Sequence, residues 1–189
     1  MAVPSIYNAE NHFVKILEKL IEKDIKAYFH TPNGLHARFI TLETAKLMKT
    51  AGFILPRLAL ETTKEERQKQ TGFKTSTKEF LKAVESLKNA GYSLKDIAVN
   101  ILIGLPGRDF SEIKDSIEFA GNLKLKIHLE EYSPIPGTPD FKNSGLSTDS
   151  DPLVHNNSVF PLYKPEDYEI IQSLKKLAHD SKKQICRSS

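Results

Sequence analysis

Residues 97–109 read Ile-Ala-Val-Asn-Ile-Leu-Ile-Gly-Leu-Pro-Gly-Arg-Asp, and this stretch decides the fold. Seven of its first eight positions are apolar or glycine. A run this short, bounded by Gly and Pro, predicts a strand buried on both faces rather than a helix. The Gly-Leu-Pro-Gly turn ends the strand, and a helix is expected to open at Asp109 or Ser111. Ligands of α/β proteins usually lie at such a junction of strand, Gly-rich turn and helix.

The same alternation of strand and helix extends in both directions from this stretch. Apolar residues at helical spacing predict helices over 9–23, from Thr41, from Ser76, over 111–122 and from Pro165. Further strands are predicted at 25–30, 55–61 and 125–132, the first of them ended by a turn at 31–34. Repeats of about 30 residues predict parallel strands with right-handed crossovers, so the carboxyl ends of all strands share one rim.

Helix boundaries carry local signals. Thr41 is the expected N-cap of one helix, and Ser76 with Glu79 forms the capping box of another. Gly52 and Gly91 are expected to end these two helices.

Polar residues alternate along the predicted strands, which separates two faces. Arg57 and Glu61 share one face of the second strand, and His128 and Glu130 share one face of the fourth. An open doubly wound sheet would cover both faces with apolar helices, whereas a partial barrel turns one face inward toward a polar ligand. We therefore predict a partial (β/α) barrel of about four parallel strands. Whether Arg57 contacts a ligand or forms a buried ion pair is left open.

Composition sets the limits of function. The chain has 189 residues and a net charge of +3, with lysines scattered over the predicted helix faces. This pattern indicates a solvated surface rather than a nucleic-acid groove. No apolar stretch approaches the roughly 20 residues of a membrane span, and the first residues do not resemble a secretory signal, so a cytoplasmic location is expected. We predict the barrel portion over 1–141, followed by a C-terminal wrap and helix over 142–189.

The chain contains one cysteine, Cys186. It can form neither an intrachain disulfide nor a zinc site built on cysteines, and it cannot hold an iron–sulfur cluster through its own thiolates.

Several strings together resemble the later strands of a radical S-adenosylmethionine (radical SAM) enzyme. They are FHTPNGLHAR (29–38), LALET (58–62), ILIGLPG (101–107), EYSPIPGTP (131–139) and DPLVHNNSVF (151–160). The resemblance is greatest to the subgroup that often carries a cobalamin-binding domain. It implies a six-stranded TIM-like partial barrel, of which this chain would supply four strands. The family's CxxxCxxC motif, which binds a [4Fe–4S] cluster, does not occur in this sequence.

The resemblance also implies site residues for S-adenosylmethionine. Glu61 matches the acid that contacts the ribose or methionine part, and Lys74 matches a basic residue that meets the carboxylate. The adenine-packing motif corresponds to Ile103, Gly104, Leu105, Pro106 and Gly107. The segment Tyr132, Ser133 and Pro134 corresponds to backbone that reads the adenine edge. No residue is assigned to catalysis or to a metal.

Three interpretations remain open at this stage. The first is the C-terminal portion of a radical SAM enzyme, inactive alone, whose cluster-binding strand comes from a partner chain. The second is a non-enzymatic half-barrel that binds a nucleoside-like ligand or a protein, including a second copy of itself, through its open edge strand. The third is an unrelated α/β enzyme that uses Glu61 and His128 as acid and base. None of these interpretations specifies the small-molecule substrate.

Overall fold

The computed structural model describes residues 12–60, 62–70, 75–104, 109–155 and 165–187. Strands and helices alternate along the chain. The strands are β1 (Leu35–His36), β2 (Arg57–Ala59), β3 (Ala98–Ile103) and β4 (Lys126–Glu131). The helices are α1 (Val14–Glu22), α2 (Leu42–Thr50), α3 (Glu65–Gln70), α4 (Thr77–Asn89), α5 (Phe110–Asn122), α6 (Pro139–Asn143) and α7 (Tyr168–Arg187).

The four strands form one sheet in the order β1-β2-β3-β4, and every pair is parallel. Leu58 of β2 is in register with Val99 of β3, and Asn100 of β3 with His128 of β4. The sheet confirms the α/β class with four parallel strands and is compatible with a partial (β/α) barrel. The carboxyl ends of β2, β3 and β4 therefore lie on one rim.

The edge of the sheet differs from the sequence prediction. Residues 25–30 form no ladder, and Phe29 makes only an isolated parallel bridge to Phe53. The edge strand is instead β1, which lies beyond the turn at 31–34. Within that turn the Thr31 hydroxyl accepts the N–H of Arg57 at 3.0 Å, so a side chain satisfies the backbone donor at the start of β2. The predicted strand at 25–30 is therefore wrong, because the turn interrupts backbone pairing along this edge.

The helix starts predicted at Thr41, Ser76 and Asp109 are confirmed, whereas the helix predicted over 9–23 begins at Val14 within the described residues and α7 begins at Tyr168, after a 3-10 turn at Pro165–Asp167. The Thr41 side chain accepts the Thr44 N–H at the start of α2, and the Ser76–Glu79 capping box is complete at the start of α4. Asp109 is the N-cap of α5. Helices α3 and α6 were not predicted, because each is only one or two turns long and too short to show helical periodicity.

The helices pack against one face of the sheet. Strand residues on that face are almost completely buried: Leu35, Leu58, Val99, Ile101, Ile103 and Ile127. They share one core with apolar residues of the helices, among them Leu17, Met48, Phe80, Leu87, Ile113, Ile117 and Ile171. Because α7 contributes Ile171 and Leu174 to this core, the C-terminal helix is part of the same packed unit.

The opposite face of the sheet is called here the polar face. The register places its members side by side: His36 of β1, Arg57 and Ala59 of β2, Asn100 and Leu102 of β3, and His128 and Glu130 of β4. One face clad in helices and one face with polar groups is the arrangement predicted from the alternation of residues along the strands.

Within the described ranges, none of the helices combines the length and the apolar character that crossing a membrane requires.

Candidate functional site

Two predicted site segments meet at the carboxyl rim of the sheet. The Tyr132 N–H, directly after β4, donates to the Ile103 carbonyl oxygen at 2.8 Å. Ile103 is also in register with Glu131, so the last residues of β3 and β4 are level. The structure therefore brings Ile103 and Gly104 together with the 132–134 segment, as parallel neighbours must lie.

Gly104 is buried and has φ +94°, a backbone angle that residues with a side chain rarely adopt. It follows the last residue of β3 directly. Glycine therefore ends the strand and lets the backbone turn away from the sheet at the rim. Pro134 is buried on the neighbouring segment, whereas Tyr132 and Ser133 are half-buried.

Side-chain direction separates Ile103 from its neighbour Leu102. Ile103 is 0% exposed and belongs to the core on the helix side, so only its backbone can contact a ligand at the rim. Leu102 is in register with Glu130 on the polar face and is half-buried. Leu102 is thus a large apolar side chain that β3 presents on the polar face. Counting two residues on from Asn100 along the strand would have identified it.

Five predicted site residues lie outside the described part of the chain. They are Glu61, Lys74, Leu105, Pro106 and Gly107. The chain neighbours of Glu61, Leu60 and Thr62, are both described and both about 1% exposed.

A polar network covers the middle of the polar face. The Arg57 Nη1 lies 3.3 Å from Glu130 Oε1 and 3.4 Å from the Pro32 carbonyl oxygen. This ion pair joins β2 to β4 across β3. The side chains of Arg57 and Glu130 are 28% and 41% exposed. The pair is therefore not the buried ion pair that was one of the two alternatives for Arg57. Arg57 therefore borders a solvent-accessible part of the polar face.

Asn100 is the buried polar group at the centre of this face. Its Nδ2 donates to the Pro32 carbonyl oxygen at 3.0 Å, and the residue is only 8% exposed. Its Oδ1 is buried and has no hydrogen-bond partner among the described residues. An unused buried acceptor costs free energy and fits a face that takes up a hydrogen-bond donor from a ligand or a water.

The adjacent acids Glu130 and Glu131 point to opposite sides, as alternation predicts. Glu130 pairs with Arg57 on the polar face, whereas Glu131 Oε1 accepts a hydrogen bond from Lys175 of α7 at 2.8 Å. The two carboxylates therefore cannot work together as an acid and a base.

A second polar network, missed by the sequence analysis, lies behind the rim. The Thr62 hydroxyl donates to Glu112 Oε1 at 2.5 Å, and the Gln68 Nε2 donates to the Thr62 carbonyl oxygen at 2.8 Å. Thr62, Gln68 and Glu112 are each no more than 3% exposed. No local signal could have found this network, because Thr62 and Glu112 are 50 positions apart.

Asp109 begins α5 beside this network. Hydrogen bonds from the Ser111 hydroxyl and the Ser111 N–H hold the pKa of Asp109 below its ordinary value, and the charge of Lys64 acts in the same direction.

The donor groups decide which cofactors fit. Cys186 is the chain's single cysteine, and its side chain lies outside the described residues. Among the side chains that are described, no three from His, Cys, Asp and Glu are grouped to hold a metal ion. The residues of this chain therefore do not fit an iron–sulfur cluster, which thiolates hold. An adenosyl group fits better, because it carries hydrogen-bond donors and the polar face offers the Asn100 Oδ1, which has no partner among the described residues.

Comparison with known proteins agrees with this arrangement. No curated protein matches the chain. The family model of the radical SAM superfamily matches residues 4–120, which is more than half of the 189 residues and includes β1, β2, β3 and most of α5. The match ends before β4, so the 132–134 segment is linked to the site by the geometry of the rim. The chain belongs to the radical SAM superfamily.

Proposed function

We propose that this chain forms the adenosyl side of the S-adenosylmethionine pocket of a radical SAM enzyme of the cobalamin-binding subgroup. One observation supports the proposal: the Tyr132 N–H donates to the Ile103 carbonyl oxygen, so the end of β3 and the segment after β4, which the resemblance assigns to adenine, are neighbours. One of these segments lies inside the region matched by the family model.

Each group in this pocket has a role suited to its chemistry. The Tyr132 N–H is bonded to Ile103, so the carbonyl oxygen of Tyr132 and the backbone of Ser133 and Pro134 would read the polar edge of adenine. Leu102 would give the ring an apolar contact. Glu61 would accept hydrogen bonds from ribose hydroxyls or the methionine ammonium group, and Lys74 would pair with the methionine carboxylate. The Gly104 turn lets the ligand approach the backbone.

Cleavage of S-adenosylmethionine in this family requires an electron from a reduced [4Fe–4S] cluster. Since the chain has a single cysteine, we propose that the cluster ligands come from outside these 189 residues. The chain by itself is then a binding unit, and purified chain should contain neither iron nor acid-labile sulfide.

The proposal predicts that the full chain binds S-adenosylmethionine in isothermal titration calorimetry. Glu61→Ala should abolish the binding heat, because it removes the carboxylate acceptor. Glu85→Ala removes an equally charged but exposed side chain from α4 and is the matched control, which should bind like the wild type. Absence of binding by the wild-type chain at millimolar ligand would refute the proposal.

A second candidate function, a non-enzymatic interaction module, is favoured by the edge of the sheet. Phe29 donates to the Gly52 carbonyl and accepts from the Ile54 N–H, so its backbone pairs inward. The amides of Tyr28 and His30 make no hydrogen bond within the described residues, and the Tyr28 side chain is 80% exposed. A cavity of about 420 Å³ adjoins this edge, lined in part by Ile25 and Tyr28. Open backbone beside an apolar cavity suits the addition of a strand from another chain.

A further inference from the structure

The described part of the molecule has seven buried polar side chains, and three of them belong to one network behind the rim. Thr62, Gln68 and Glu112 have exposed fractions of 1%, 3% and 3%. Buried polar groups are costly unless each is hydrogen-bonded, and a buried carboxylate is the most costly of them. An apolar residue at position 112 would avoid that cost, so this network calls for an explanation.

The centre of the network is Thr62. Its hydroxyl donates to Glu112 Oε1 at 2.5 Å and accepts the Lys64 N–H at 3.0 Å. Its carbonyl oxygen accepts from the Gln68 Nε2 at 2.8 Å, and the same nitrogen lies 3.1 Å from Thr77 Oγ1. The Thr62 N–H also donates to the Leu60 carbonyl oxygen at 2.6 Å, so four hydrogen bonds hold this residue, and Glu112 is the charged side chain among these partners.

The network joins the loop after β2 to the start of helix α5. Thr62 lies three residues beyond the end of β2, and Glu112 lies in the first turn of α5, which follows the Gly104 turn. Glu112 belongs to the first turn of a 13-residue helix, where the helix dipole favours a negative charge. The Thr62–Glu112 hydrogen bond thus connects the loop after β2 to the first turn of α5.

We propose that Glu112 is a positioning residue for the S-adenosylmethionine site: it acts through Thr62 and holds the loop after β2 against the rim at Gly104. The inference rests on the proposed function, because it assumes that S-adenosylmethionine binds at this rim. Glu112 itself is buried behind the loops and does not touch the ligand. Its hydrogen bond fixes the chain next to position 61, whose neighbours Leu60 and Thr62 are both buried anchors.

The test compares substitutions that remove the hydrogen bond with substitutions that keep it. Glu112→Ala and Thr62→Val remove it, the second with almost no change of shape. Glu112→Gln retains a carbonyl acceptor for Thr62, and Thr62→Ser retains the hydroxyl donor. Tyr92→Phe is the matched control, because it removes a buried hydrogen bond of 2.9 Å, to the Phe53 carbonyl, at the opposite end of the sheet.

The affinity of each full-length variant for S-adenosylmethionine is measured by titration calorimetry, and its folding is checked by thermal unfolding. Thr62→Val and Glu112→Ala should weaken binding at least tenfold, while Thr62→Ser and Glu112→Gln stay within threefold of the wild type. Tyr92→Phe should lower the unfolding temperature without a change in affinity. Hydrogen exchange at the amides of 62–64 should accelerate in the two disruptive variants and stay at the wild-type rate in the control.

The outcomes separate the two proposals. Folded Thr62→Val that binds S-adenosylmethionine as tightly as the wild type would overturn the role of Glu112 and leave the proposed function standing. A wild-type chain that does not bind would overturn the proposed function, and the role assigned to Glu112 with it. Equal loss of affinity in Tyr92→Phe would show a general effect of stability and would likewise overturn the positioning role. Because Thr62→Val tests the same bond, a Glu112→Ala chain that fails to fold does not prevent the test.

Discussion

At the scale of single residues, Gly52 marks a close approach of two backbone segments. A β-carbon on Gly52 would lie 2.3 Å from the Ala27 carbonyl oxygen, well inside contact distance, and its φ is +92°. The Gly52 carbonyl accepts the Phe29 N–H at 3.0 Å, so this glycine sets the distance between the 25–30 segment and the residues that precede β2.

Gly52→Ala should therefore destabilise the fold more than Gly91→Ala. Gly91 has φ +95°, but a β-carbon there would meet nothing within 4 Å, so its replacement costs only about 1–2 kcal/mol of backbone strain. Gly52→Ala adds a clash with backbone, worth a further 1–3 kcal/mol or so. Urea unfolding of both variants measures the difference. Equal losses of unfolding free energy would contradict the close approach.

At the scale of secondary-structure elements, α4 shows how a helix start recognised in sequence acts in the structure. Glu79 Oε2 accepts the Ser76 N–H at 2.8 Å, and Ser76 Oγ accepts the Glu79 N–H at 3.2 Å. The Ser76 backbone hydrogen bond is the main cause of the lowered pKa of Glu79, with a smaller contribution from the charge of Arg38. The carboxylate therefore stays ionised to a lower pH in the folded chain than in the unfolded chain.

The stabilisation by this capping box should depend on pH. Since the pKa of Glu79 is depressed by folding, its contribution is complete above the ordinary value of 4.5 and is lost as the pH falls through the lower folded value. Glu79→Gln should thus reduce the unfolding free energy at pH 7 and have a smaller effect at pH 3. Thr41→Ala is the matched control: it removes the uncharged cap of α2 and should cost about 1 kcal/mol at both pH values. Denaturant unfolding at the two pH values provides the comparison, and a pH-independent effect of Glu79→Gln would refute the prediction.

At the scale of the whole molecule, the two faces of the sheet differ in what covers them, and one edge differs from the rest in its open backbone amides. Helices cover one face, the polar face carries the Arg57–Glu130 pair, and the edge near Tyr28 presents backbone amides that are unpaired within the described residues. An open edge of this kind favours the addition of another strand, from a partner or a second copy of the chain.

We expect the purified chain to associate in a concentration-dependent way through this edge. Tyr28→Pro removes an outward backbone N–H and should shift the chain to monomer, whereas Tyr28→Ala removes the exposed ring but keeps the N–H and should retain most of the association. Sedimentation velocity over a range of concentrations measures both. Association that survives Tyr28→Pro would place the interface elsewhere on the surface.

How far the sequence alone predicted the molecule differs from element to element. The burial of β3, the caps at Thr41 and Ser76 and the opposite directions of Glu130 and Glu131 were all predicted, because each depends on a pattern within a few residues. The prediction of the edge strand at 25–30 was wrong. The Thr31 hydroxyl accepts a hydrogen bond from Arg57, 26 positions away, and no local pattern contains that contact. The roles assigned to Glu61 and Lys74 stay predictions, since both lie outside the described residues.

The sequence by itself determined that strands and helices alternate and that each strand has a polar and an apolar side, because periods of 2 and 3.6 residues are local properties. The helix between successive strands also determined that the strands run parallel. Only the tertiary structure decided three pairings: the backbone hydrogen bond of Tyr132 to Ile103, the ion pair of Arg57 with Glu130 and the hydrogen bond of Thr62 to Glu112. These partners are tens of residues apart in the chain. They meet because packing of the shared core sets the distances between strand ends, and no short stretch of sequence contains that information.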